Sequence, residues 1–410
     1  MKIKLPLIAV AVLSTVSVSS HAALAYKLTD LGSLPGERSF SQAYSISNNG
    51  QISGRSRGSL PVAGGDDISG PTNAVRFHSN GYIQTLGTLG GGEGGHSLSS
   101  DGRAINNDGV VAGYSTTNTT DGSRVYNAFV NDFKKGRMHN IGTLGNGLEA
   151  RAYGINNNGK VVGWSNTKAD GTDHVGFIYD IETDTMTGMG GSILGGKRSF
   201  AFDINDQDQV AGTATLADGS AHAFSYVGGT ATDLGSLDNS GYSEARAINE
   251  NGFVTGWSLT ESKDNHAFLY NGSEMLDLGS LGGDTKGLDV NIHGQVVGSG
   301  TDADGNNISF LYSDGQIINL VDLLSAEDQG MIKEFREAAS INDDGTIVGR
   351  ASFWTDKAND ESQTRAFKIM ADAGTLPASV PLPGAIFLMG PAVAFLGFMG
   401  KNRRSQAQAV

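Results

Sequence analysis

Short apolar segments alternate with polar turns along most of the chain, and one combination of segments recurs seven times. In its clearest copy, residues 152–165, Ala-Tyr-Gly-Ile leads into a turn rich in asparagine and glycine, and Lys-Val-Val-Gly-Trp-Ser follows. The apolar residue before the turn recurs at intervals of 42 to 59 residues, at Ile46, Ile105, Ile155, Ile204, Ile248, Val290 and Ile341. Periods of this length predict a fold built from repeated β units.

One repeat contains four such segments, which predicts four strands. In the fifth repeat these segments are residues 245–249, 253–257, 266–270 and 275–279. Asn251-Gly252 joins the first two segments and Asn271-Gly272 joins the last two. Such pairs favour tight antiparallel hairpins because both residues tolerate positive φ. Four antiparallel strands in about 45 residues are the unit of a β-propeller blade.

The two ends of the repeat region complete each other. Residues 26–32 match the fourth segment of a repeat although no repeat precedes them, and the seventh repeat lacks a fourth segment. We therefore predict an all-β domain over residues 26–372, a seven-bladed β-propeller of four-stranded antiparallel blades. Its N-terminal strand would close the last blade and remove two exposed sheet edges. A β-solenoid or a sandwich is the alternative.

Composition and charge narrow the class of protein. The 410 residues include 59 glycines and only 8 prolines, as expected for many short strands joined by tight turns. The formal charge of −14 becomes −19 without the five cations of the two terminal segments, which hold no acidic residue. So acidic a surface repels phosphate backbones, which argues against nucleic-acid binding. Cysteine is absent, so the chain offers neither disulfides nor thiolate metal ligands.

Residues 1–25 predict a secretory signal peptide. Lys2 and Lys4 precede an apolar run from Leu5 to Val16, and the small residues that follow offer cleavage after Ala22 or Ala25. The apolar run is too short to span a bilayer of about 30 Å, so we prefer this interpretation to an uncleaved anchor.

The C-terminal end predicts a second membrane signal. Residues 373–383 form a linker with a sorting motif, residues 384–400 form a single hydrophobic helix of transmembrane type, and residues 401–410 form a basic cytoplasmic tail. The residues that carry the signal are Val380, Pro381, Leu382, Pro383, Gly384, Lys401, Arg403 and Arg404.

This arrangement resembles a PEP-CTERM sorting tail in its Val-Pro-Leu-Pro variant. The resemblance implies an exosortase-type processing enzyme as a partner in a Gram-negative bacterium. Gly384 stands where alanine is commoner in that family, and six residues follow the basic cluster. A plain C-terminal membrane helix is the alternative.

The third segment of the repeats carries a second resemblance. His222-Ala223-Phe224 and His266-Ala267-Phe268 are two copies of one tripeptide, and Leu278 to Gly283 matches an accompanying Leu-Gly-Thr-Leu-Gly-Gly element. Over residues 26–370 the chain resembles bacterial extracellular HAF-repeat proteins. The resemblance implies an exported repeat protein without a defined activity.

One repeat position suggests a ligand-binding site. The residue after the internal glycine of the second segment is aromatic in three repeats, and in the first and seventh repeats it is Arg55 and Arg350. Aromatic rings beside polar groups would suit a sugar if they lie on one face of the propeller. We therefore name as candidate ligand-binding residues Tyr114, Trp164, Trp257, His174 and His266. Packing between blades would explain the aromatic residues equally well, and His174, His222 and His266 share a repeat position that a structural hydrogen bond would also explain.

No pattern in the sequence indicates catalysis or a metal centre. The histidines lack zinc-site spacing, and no nucleophile elbow is present. Gly90, Gly92 and Gly95 fit a dinucleotide fingerprint, but no βαβ unit surrounds them. The loop 302–307 alternates oxygen ligands yet lacks the glycine and glutamate of an EF-hand, which leaves calcium open beside an ordinary turn. We predict no catalytic residue, no metal site and no other cofactor.

Residues 325–338 form an insertion for which we predict a short helix. Ser325 would be its N-cap, and Glu327 and Asp328 would lie in its first turn.

These observations favour an exported, non-catalytic binding protein. We expect it to pass through the inner membrane, to be held there transiently by its C-terminal helix, and to reach the cell surface or the extracellular matrix. Its ligand would be a polysaccharide or a surface protein. The alternatives are an extracellular glycan hydrolase or lyase and a purely structural envelope protein. Carboxylates or histidine with tyrosine at the channel mouth would favour the enzyme, and an apolar, glycine-lined mouth would favour binding.

Overall fold

The computed structural model describes residues 26–371 except residues 37–38, 61–67, 91–97, 120–121, 133–136 and 239–240. These residues form seven sheets of four antiparallel strands, which confirms the predicted seven-bladed β-propeller. The segments predicted as a signal peptide, a sorting motif and a C-terminal hydrophobic helix lie outside the described residues. Within the described part, no helix is long and apolar enough to cross a membrane.

The strands follow one another in chain order, and each blade is a meander. Blade 1 contains β2 (Phe40–Ile46), β3 (Ile52–Leu60), β4 (Ile68–Phe77) and β5 (Ile83–Gly87). Blade 2 contains β6 (Ser100–Ile105), β7 (Val111–Asn118), β8 (Arg124–Asp132) and β9 (Arg137–Asn140). Blade 3 contains β10 (Ala150–Ile155), β11 (Lys160–Ser165), β12 (Val175–Asp180) and β13 (Thr185–Gly188).

The remaining blades repeat this pattern. Blade 4 contains β14 (Gly195–Ile204), β15 (Val210–Leu216), β16 (Ala221–Val227) and β17 (Thr230–Asp233). Blade 5 contains β18 (Ser243–Ile248), β19 (Val254–Leu259), β20 (Asn265–Tyr270) and β21 (Met275–Asp277). Blade 6 contains β22 (Gly282–Val290), β23 (Val296–Asp302), β24 (Asn307–Ser313) and β25 (Gln316–Asn319). Blade 7 contains β26 (Ile332–Ile341), β27 (Ile347–Asp356), β28 (Glu361–Ala371) and, from the other end of the domain, β1 (Tyr26–Asp30).

Strand β1 pairs with β28 over its whole length. Tyr26 lies opposite Ala371 and Asp30 lies opposite Phe367. The Arg365 guanidinium donates a hydrogen bond of 2.7 Å to the Asp30 carboxylate, so side chains also join the two ends of the domain. Blade 7 therefore contains both the first and the last described strand of the chain.

The first strand of each blade lies nearest the axis, because these seven strands contact one another in a closed ring. Each of them has a bulge at the same place, between a small residue and the residue two positions later, as between Ala152 and Gly154 in β10. A bulge inserts one extra residue and turns it away from the ladder. The extra residues are therefore directed at the axis.

The glycine of the recurring Val-Val-Gly element stands opposite this bulge. A Cβ atom on Gly163 would lie 2.0 Å from the carbonyl oxygen of Arg151, and the six equivalent glycines are equally close to the neighbouring backbone. No side chain fits there, so the glycine of each repeat is required by the close approach of two strands.

The hydrophobic core lies between the blades. Each apolar cluster combines residues of two neighbouring blades, such as Ala112 and Val130 of blade 2 with Ile155 and Phe177 of blade 3. The phenylalanine of the His-Ala-Phe element is fully buried in six blades, at Phe129, Phe177, Phe224, Phe268, Phe310 and Phe367. Burial between sheets leaves the axis free for polar side chains.

A belt of asparagines joins the blades at one end of the axis. In six blades, the asparagine after the repeat isoleucine or valine donates through Nδ2 to the backbone oxygen of the equivalent residue in the next blade, as Asn156 does to Asn205 at 3.0 Å. Its Oδ1 accepts from the turn that follows, as from the Lys160 N–H at 2.8 Å. The asparagine belt comprises Asn106, Asn156, Asn205, Asn249, Asn291 and Asn342.

The predicted helix at residues 325–338 is wrong in extent. The structure has a 3₁₀ turn at Leu320–Leu323 and one helical turn at Ala326–Gln329, and β26 begins at Ile332. Ser325 is the N-cap as predicted, since its hydroxyl accepts from the Asp328 N–H at 3.1 Å. The remaining residues pair with β27 because Ile332 and Phe335 enter the core of blade 7.

Candidate functional site

The seven bulge residues surround the axis and form what we call the bulge level; we use the term axial channel for the region that the seven first strands enclose. They are Tyr44, Arg103, Tyr153, Phe202, Arg246, Leu288 and Ala339. Five of them form a continuous series of contacts around the ring. The Arg103 guanidinium carbon lies 3.9 Å from the centre of the Tyr44 ring and 5.5 Å from that of Tyr153. Tyr153 packs edge-on to Phe202 at 5.4 Å, and Arg246 lies 4.6 Å from the Phe202 ring.

Two residues earlier, the same strands form an upper level nearer the channel mouth. Its members are Gln42, Asp101, Arg151, Phe200, Glu244, Lys286 and Glu337. Opposite them on the second strands stand Arg55, Tyr114, Trp164, Thr213, Trp257, Ser299 and Arg350. The repeat position chosen from the sequence therefore does lie beside the channel.

Each carboxylate of the upper level has a cationic partner. Asp101 lies 3.5 Å from Arg55, Glu244 lies 3.0 Å from Arg246, and Glu337 lies 3.2 Å from Arg350. Glu337 also accepts from the Gln42 amide at 2.8 Å, and Glu244 accepts from the Tyr242 hydroxyl. These carboxylates are therefore held as charge-assisted acceptors.

The candidate aromatic residues differ in burial. Trp164 is only 7% exposed, and its ring packs against His174 at 4.6 Å and Phe200 of blade 4 at 6.1 Å. Its faces are occupied by protein. Tyr114 and Trp257 are partly buried, and each meets a cation of the upper level, Arg151 at 5.3 Å and Lys286 at 4.7 Å. Such pairs are cation–π contacts.

The candidate histidines have two different environments. His266 Nδ1 lies 2.9 Å from the Asp277 carboxylate of the adjacent outer strand, and His222 contacts Asp233 in the same way. Arg365 and Asp30 take these positions in blade 7. The prediction that His174 shares this repeat position is wrong, because Val175 pairs with Ser165 as His222 pairs with Ala214, and His174 lies one residue earlier. Its ring is tilted against Phe200 at 5.3 Å, and burial, followed by Arg198, lowers its pKa. The structure thus places the His174 ring next to Trp164. Among the described residues, the His266 ring makes no ring contact with Trp257 or with the other candidate aromatic residues.

The loop at residues 302–307 is occupied by its own hydrogen bonds. The Asp302 carboxylate accepts from the backbone N–H groups of Asp304 and Asn306, both at 2.9 Å, and from the Asn306 amide. Its oxygens thus stabilise an ordinary turn. In the described part of the chain, no group of three or more acidic or histidine residues is arranged to hold a metal ion.

The bulge-level residues are absent from the candidate site deduced from the sequence. A repeat alignment could have found them, because each stands two residues before the recurring isoleucine or valine. Their chemistry differs from blade to blade, however, so no motif draws attention to them. What the sequence lacks is a sign of the bulge that turns them to the axis.

A cavity of about 350 Å³ lies away from the axis between blades 2 and 3. His139, Tyr179 and Asp184 line it, and the Tyr179 hydroxyl donates to Asp184 at 2.6 Å. His139 Nε2 is 3.5 Å from the same carboxylate. Both partners of that pair are mostly exposed, at 57% and 71%, so this cavity is shallow and solvated.

A family model described as "Protein of unknown function (DUF3466)" matches residues 93–194 and 274–393. No curated protein matches the chain. The family model covers more than half of the chain, and its two segments lie in the repeat region and in the C-terminal part.

Two solved structures show the same architecture. The β-propeller domain of the Trilobed protease from Pyrococcus furiosus is 11% identical, with a TM-score of 0.51, over 84% of this chain and 99% of that one. Oligogalacturonate lyase from Vibrio parahaemolyticus is 13% identical, with a TM-score of 0.51, over 85% of this chain and 94% of that one. Such low identity shows the fold alone.

Proposed function

Because the chain belongs to the DUF3466 family, whose description assigns no activity, we propose from its site that it is an exported propeller that binds an extracellular ligand at its channel mouth. The ligand is a polysaccharide or a surface protein, and the chain itself performs no catalysis. The His-Ala-Phe repeats and the two terminal signals in the sequence support this cellular address.

One observation carries the proposal: the upper level holds six residue types in seven blades although the strands that present it repeat. Around the mouth, one position of the first strand holds Arg151 in blade 3, Phe200 in blade 4, Glu244 in blade 5 and Lys286 in blade 6. A rigid ring that presents partly buried rings and charges at one end has the features of a binding site. The mouth is polar and aromatic, and it is not the apolar, glycine-lined mouth that we expected for a binding protein.

The second candidate function is a hydrolase or lyase that acts on extracellular glycans. It is favoured by the carboxylates and tyrosines that meet at the mouth, as expected for the enzyme. Against it, Asp101, Glu244 and Glu337 are all ion-paired, and burial raises the pKa of Tyr44 to about 12. A general acid or base works best with a pKa near the operating pH. Binding is therefore the better-supported function.

The test is ligand binding by the purified full chain on arrays of glycans and surface proteins. We expect Trp257→Ala to weaken binding about fivefold, since one lost stacking contact is worth roughly 1 kcal/mol. Tyr82→Ala is the matched control, because Tyr82 is 61% exposed on a turn of blade 1. A ligand that is cleaved on incubation would establish the enzyme, and equal binding by the two variants would remove the mouth from the proposal.

The sorting tail is tested separately. Replacing Pro381 and Pro383 by alanine should leave export intact but keep the full-length chain in the inner membrane, if an exosortase-type enzyme reads this motif. Cell fractionation with an antibody to the propeller measures this. Unchanged size and location would instead support a plain C-terminal anchor.

We further propose that β1 closes the ring against thermal opening. Deleting residues 26–32 from the full chain should leave β28 as an open sheet edge and cause a lower melting temperature and aggregation. An unchanged melting temperature with a monodisperse protein would contradict this role.

A further inference from the structure

The axial channel contains cations that the protein leaves without an acidic partner. The upper and bulge levels, with their partners on the second strands, hold six cations and three carboxylates: Arg55, Arg103, Arg151, Arg246, Lys286 and Arg350 against Asp101, Glu244 and Glu337. This excess of positive charge lies inside a chain whose net charge is −14. Acidic residues are thus abundant in the chain, yet only three stand in these two levels, while Asp203 and Asp289 directly follow the bulge residues of their strands.

Arg103 and Arg151 have neither an ion pair nor a side-chain hydrogen bond among the described residues. Both are held only by aromatic faces, Arg103 by Tyr44 at 3.9 Å and Arg151 by Tyr126 at 4.0 Å. Stacking fixes the plane of a guanidinium and leaves its N–H groups free to donate.

The unpartnered donors concentrate at this place. In the described residues, nine buried side-chain nitrogen or oxygen atoms lack a hydrogen-bond partner, and five are arginine Nε atoms around the channel. They belong to Arg55, Arg57, Arg103, Arg151 and Arg350. Buried donors without protein partners are costly, so this cluster favours a site where water or a ligand completes their hydrogen bonds.

Neighbouring charges do not offset this excess. Arg246 faces the same channel, and burial lowers its pKa most; its ion-pair partner Glu244 acts in the opposite direction, and Arg103 lowers it further. Asp203 follows the bulge directly in β14, and burial, then Asp289, raises its pKa to about 8. Asp203 is therefore mostly protonated at neutral pH.

We propose that the channel binds an anionic glycan, whose carboxylate or sulfate group accepts hydrogen bonds from Arg103 and Arg151 at the mouth that these arginines share with the aromatic rings. Planar guanidinium groups match such oxyanions with two parallel hydrogen bonds. Aromatic faces beside them suit a pyranose ring better than an acidic peptide. This inference rests on the proposed binding function and names the chemical class of its ligand.

The first experiment needs no ligand. Arg103→Met removes the unpaired cation and keeps an unbranched apolar side chain in its place. If Arg103 serves a ligand, the melting temperature of the full chain should stay the same or rise, because replacing a buried charge by an apolar group is often neutral or stabilising. A clear fall in melting temperature would show that Arg103 is a structural residue and would overturn the inference.

The second experiment measures binding to four probes: tetragalacturonate, its fully methyl-esterified form, a sulfated cellotetraose and a poly-glutamate peptide. We expect the wild-type chain to bind the first or the third at least tenfold more tightly than the neutral ester, and Arg103→Gln to lose at least tenfold. Which of the two anionic sugars binds separates a carboxylate from a sulfate ligand. Arg124→Gln is the matched control, since Arg124 is exposed at the start of β8 and its loss changes the net charge equally.

The outcomes separate this inference from the broader proposal. If the neutral ester binds as tightly as the anionic sugars, the binding function stands and the proposal of an anionic ligand is overturned. Binding of poly-glutamate without either sugar would replace the glycan by an acidic protein segment. Absence of binding to all four probes, together with no ligand on the arrays, would reject both.

Discussion

The two ends of the axis are built from the same seven strands, and they differ in how far the blades resemble one another. At the belt end, six blades use one residue type for one hydrogen bond to the next blade, from Asn106 to Asn342. At the upper level, the equivalent positions hold amide, acidic, basic and aromatic side chains. Repetition at one end holds the ring together, and variety at the other end creates a distinct surface in each blade.

The bulge separates these two behaviours. On the belt side of the bulge, each side chain bonds to the equivalent residue of the next blade, so a single residue type recurs in nearly every blade. At and above it, the extra residue points to the axis, where no blade constrains its type. The four experiments that follow test whether stability belongs to the repeated part and ligand binding to the variable part.

Trp164 lies at the variable end of the axis, but its side chain is buried as a core residue is. We expect Trp164→Ala to cost about 3–5 kcal/mol of unfolding free energy, because the ring is buried between blades 3 and 4. Trp257→Ala should cost clearly less, since Trp257 is only partly buried. Denaturant unfolding of both variants measures this, and equal costs would mean that the variable end is as structural as the belt.

Gly163→Ala tests the close approach on which both ends depend. Its methyl group would meet the Arg151 carbonyl oxygen at 2.0 Å, so the strands must separate at a cost of about 3 kcal/mol or more. Gly219→Ala is the control, because a Cβ there meets no atom within 4 Å and the change carries only the penalty of a positive φ, about 1–2 kcal/mol. Similar melting temperatures for the two variants would refute the argument that the bulge needs glycine.

Asn156→Ala should cost about 1–3 kcal/mol, because it leaves the Lys160 N–H without its partner and removes the bond to Asn205 that joins blades 3 and 4. Asn157→Ala removes a neighbouring asparagine whose bonds to Asp206 are exposed, and we expect a cost within about 0.5 kcal/mol. Ligand binding per folded molecule should be unchanged in both. A change in affinity with stability intact would place the belt in the binding site.

Asp203→Asn should alter the pH dependence of stability more than stability itself. Between the unfolded pKa of about 4 and the folded pKa of about 8, the folded chain holds a proton on Asp203 that the unfolded chain has lost, so stability falls as pH rises. Asparagine cannot titrate but keeps an oxygen for the Ile248 N–H.

Melting curves at pH 5 and pH 8 measure this effect. The melting temperature of Asp203→Asn should rise relative to that of the wild-type chain as pH rises. The melting temperature of Asp304→Asn, which changes an exposed turn, should follow that of the wild type. Parallel curves for all three proteins would show that Asp203 is ionised in the folded state.

The sequence predicts the repeated part of this molecule well and the variable part poorly. The Ile-Asn and Val-Val-Gly elements recur because their hydrogen bonds and backbone contacts recur, so blade number and strand order follow from Ile46 to Ile341. Ser325 was identified as an N-cap from local chemistry alone. The helix after it was overextended, because the pairing of Ile332 with Phe353 is a contact with another strand.

The candidate site was predicted only in part for the same reason. Tyr114, Trp164 and Trp257 were chosen by repeat position, and that position does lie beside the upper level. Arg103 and Tyr153 were missed, because what distinguishes them is a bulge and a set of contacts between blades. Pairings between distant segments leave no local pattern in one sequence.

The direction of the asparagine belt bears on how such proteins change size during evolution. Every asparagine donates forward, from its own blade to the next, and none depends on a blade further away. Blade 1 has Ser47 in this place, and the link to blade 2 passes through Asn49 and Gln51 to the Asn107 carbonyl. A gene duplication that adds one repeat therefore brings its own link with it, and we expect relatives with other blade numbers to keep the asparagine while their channel residues diverge.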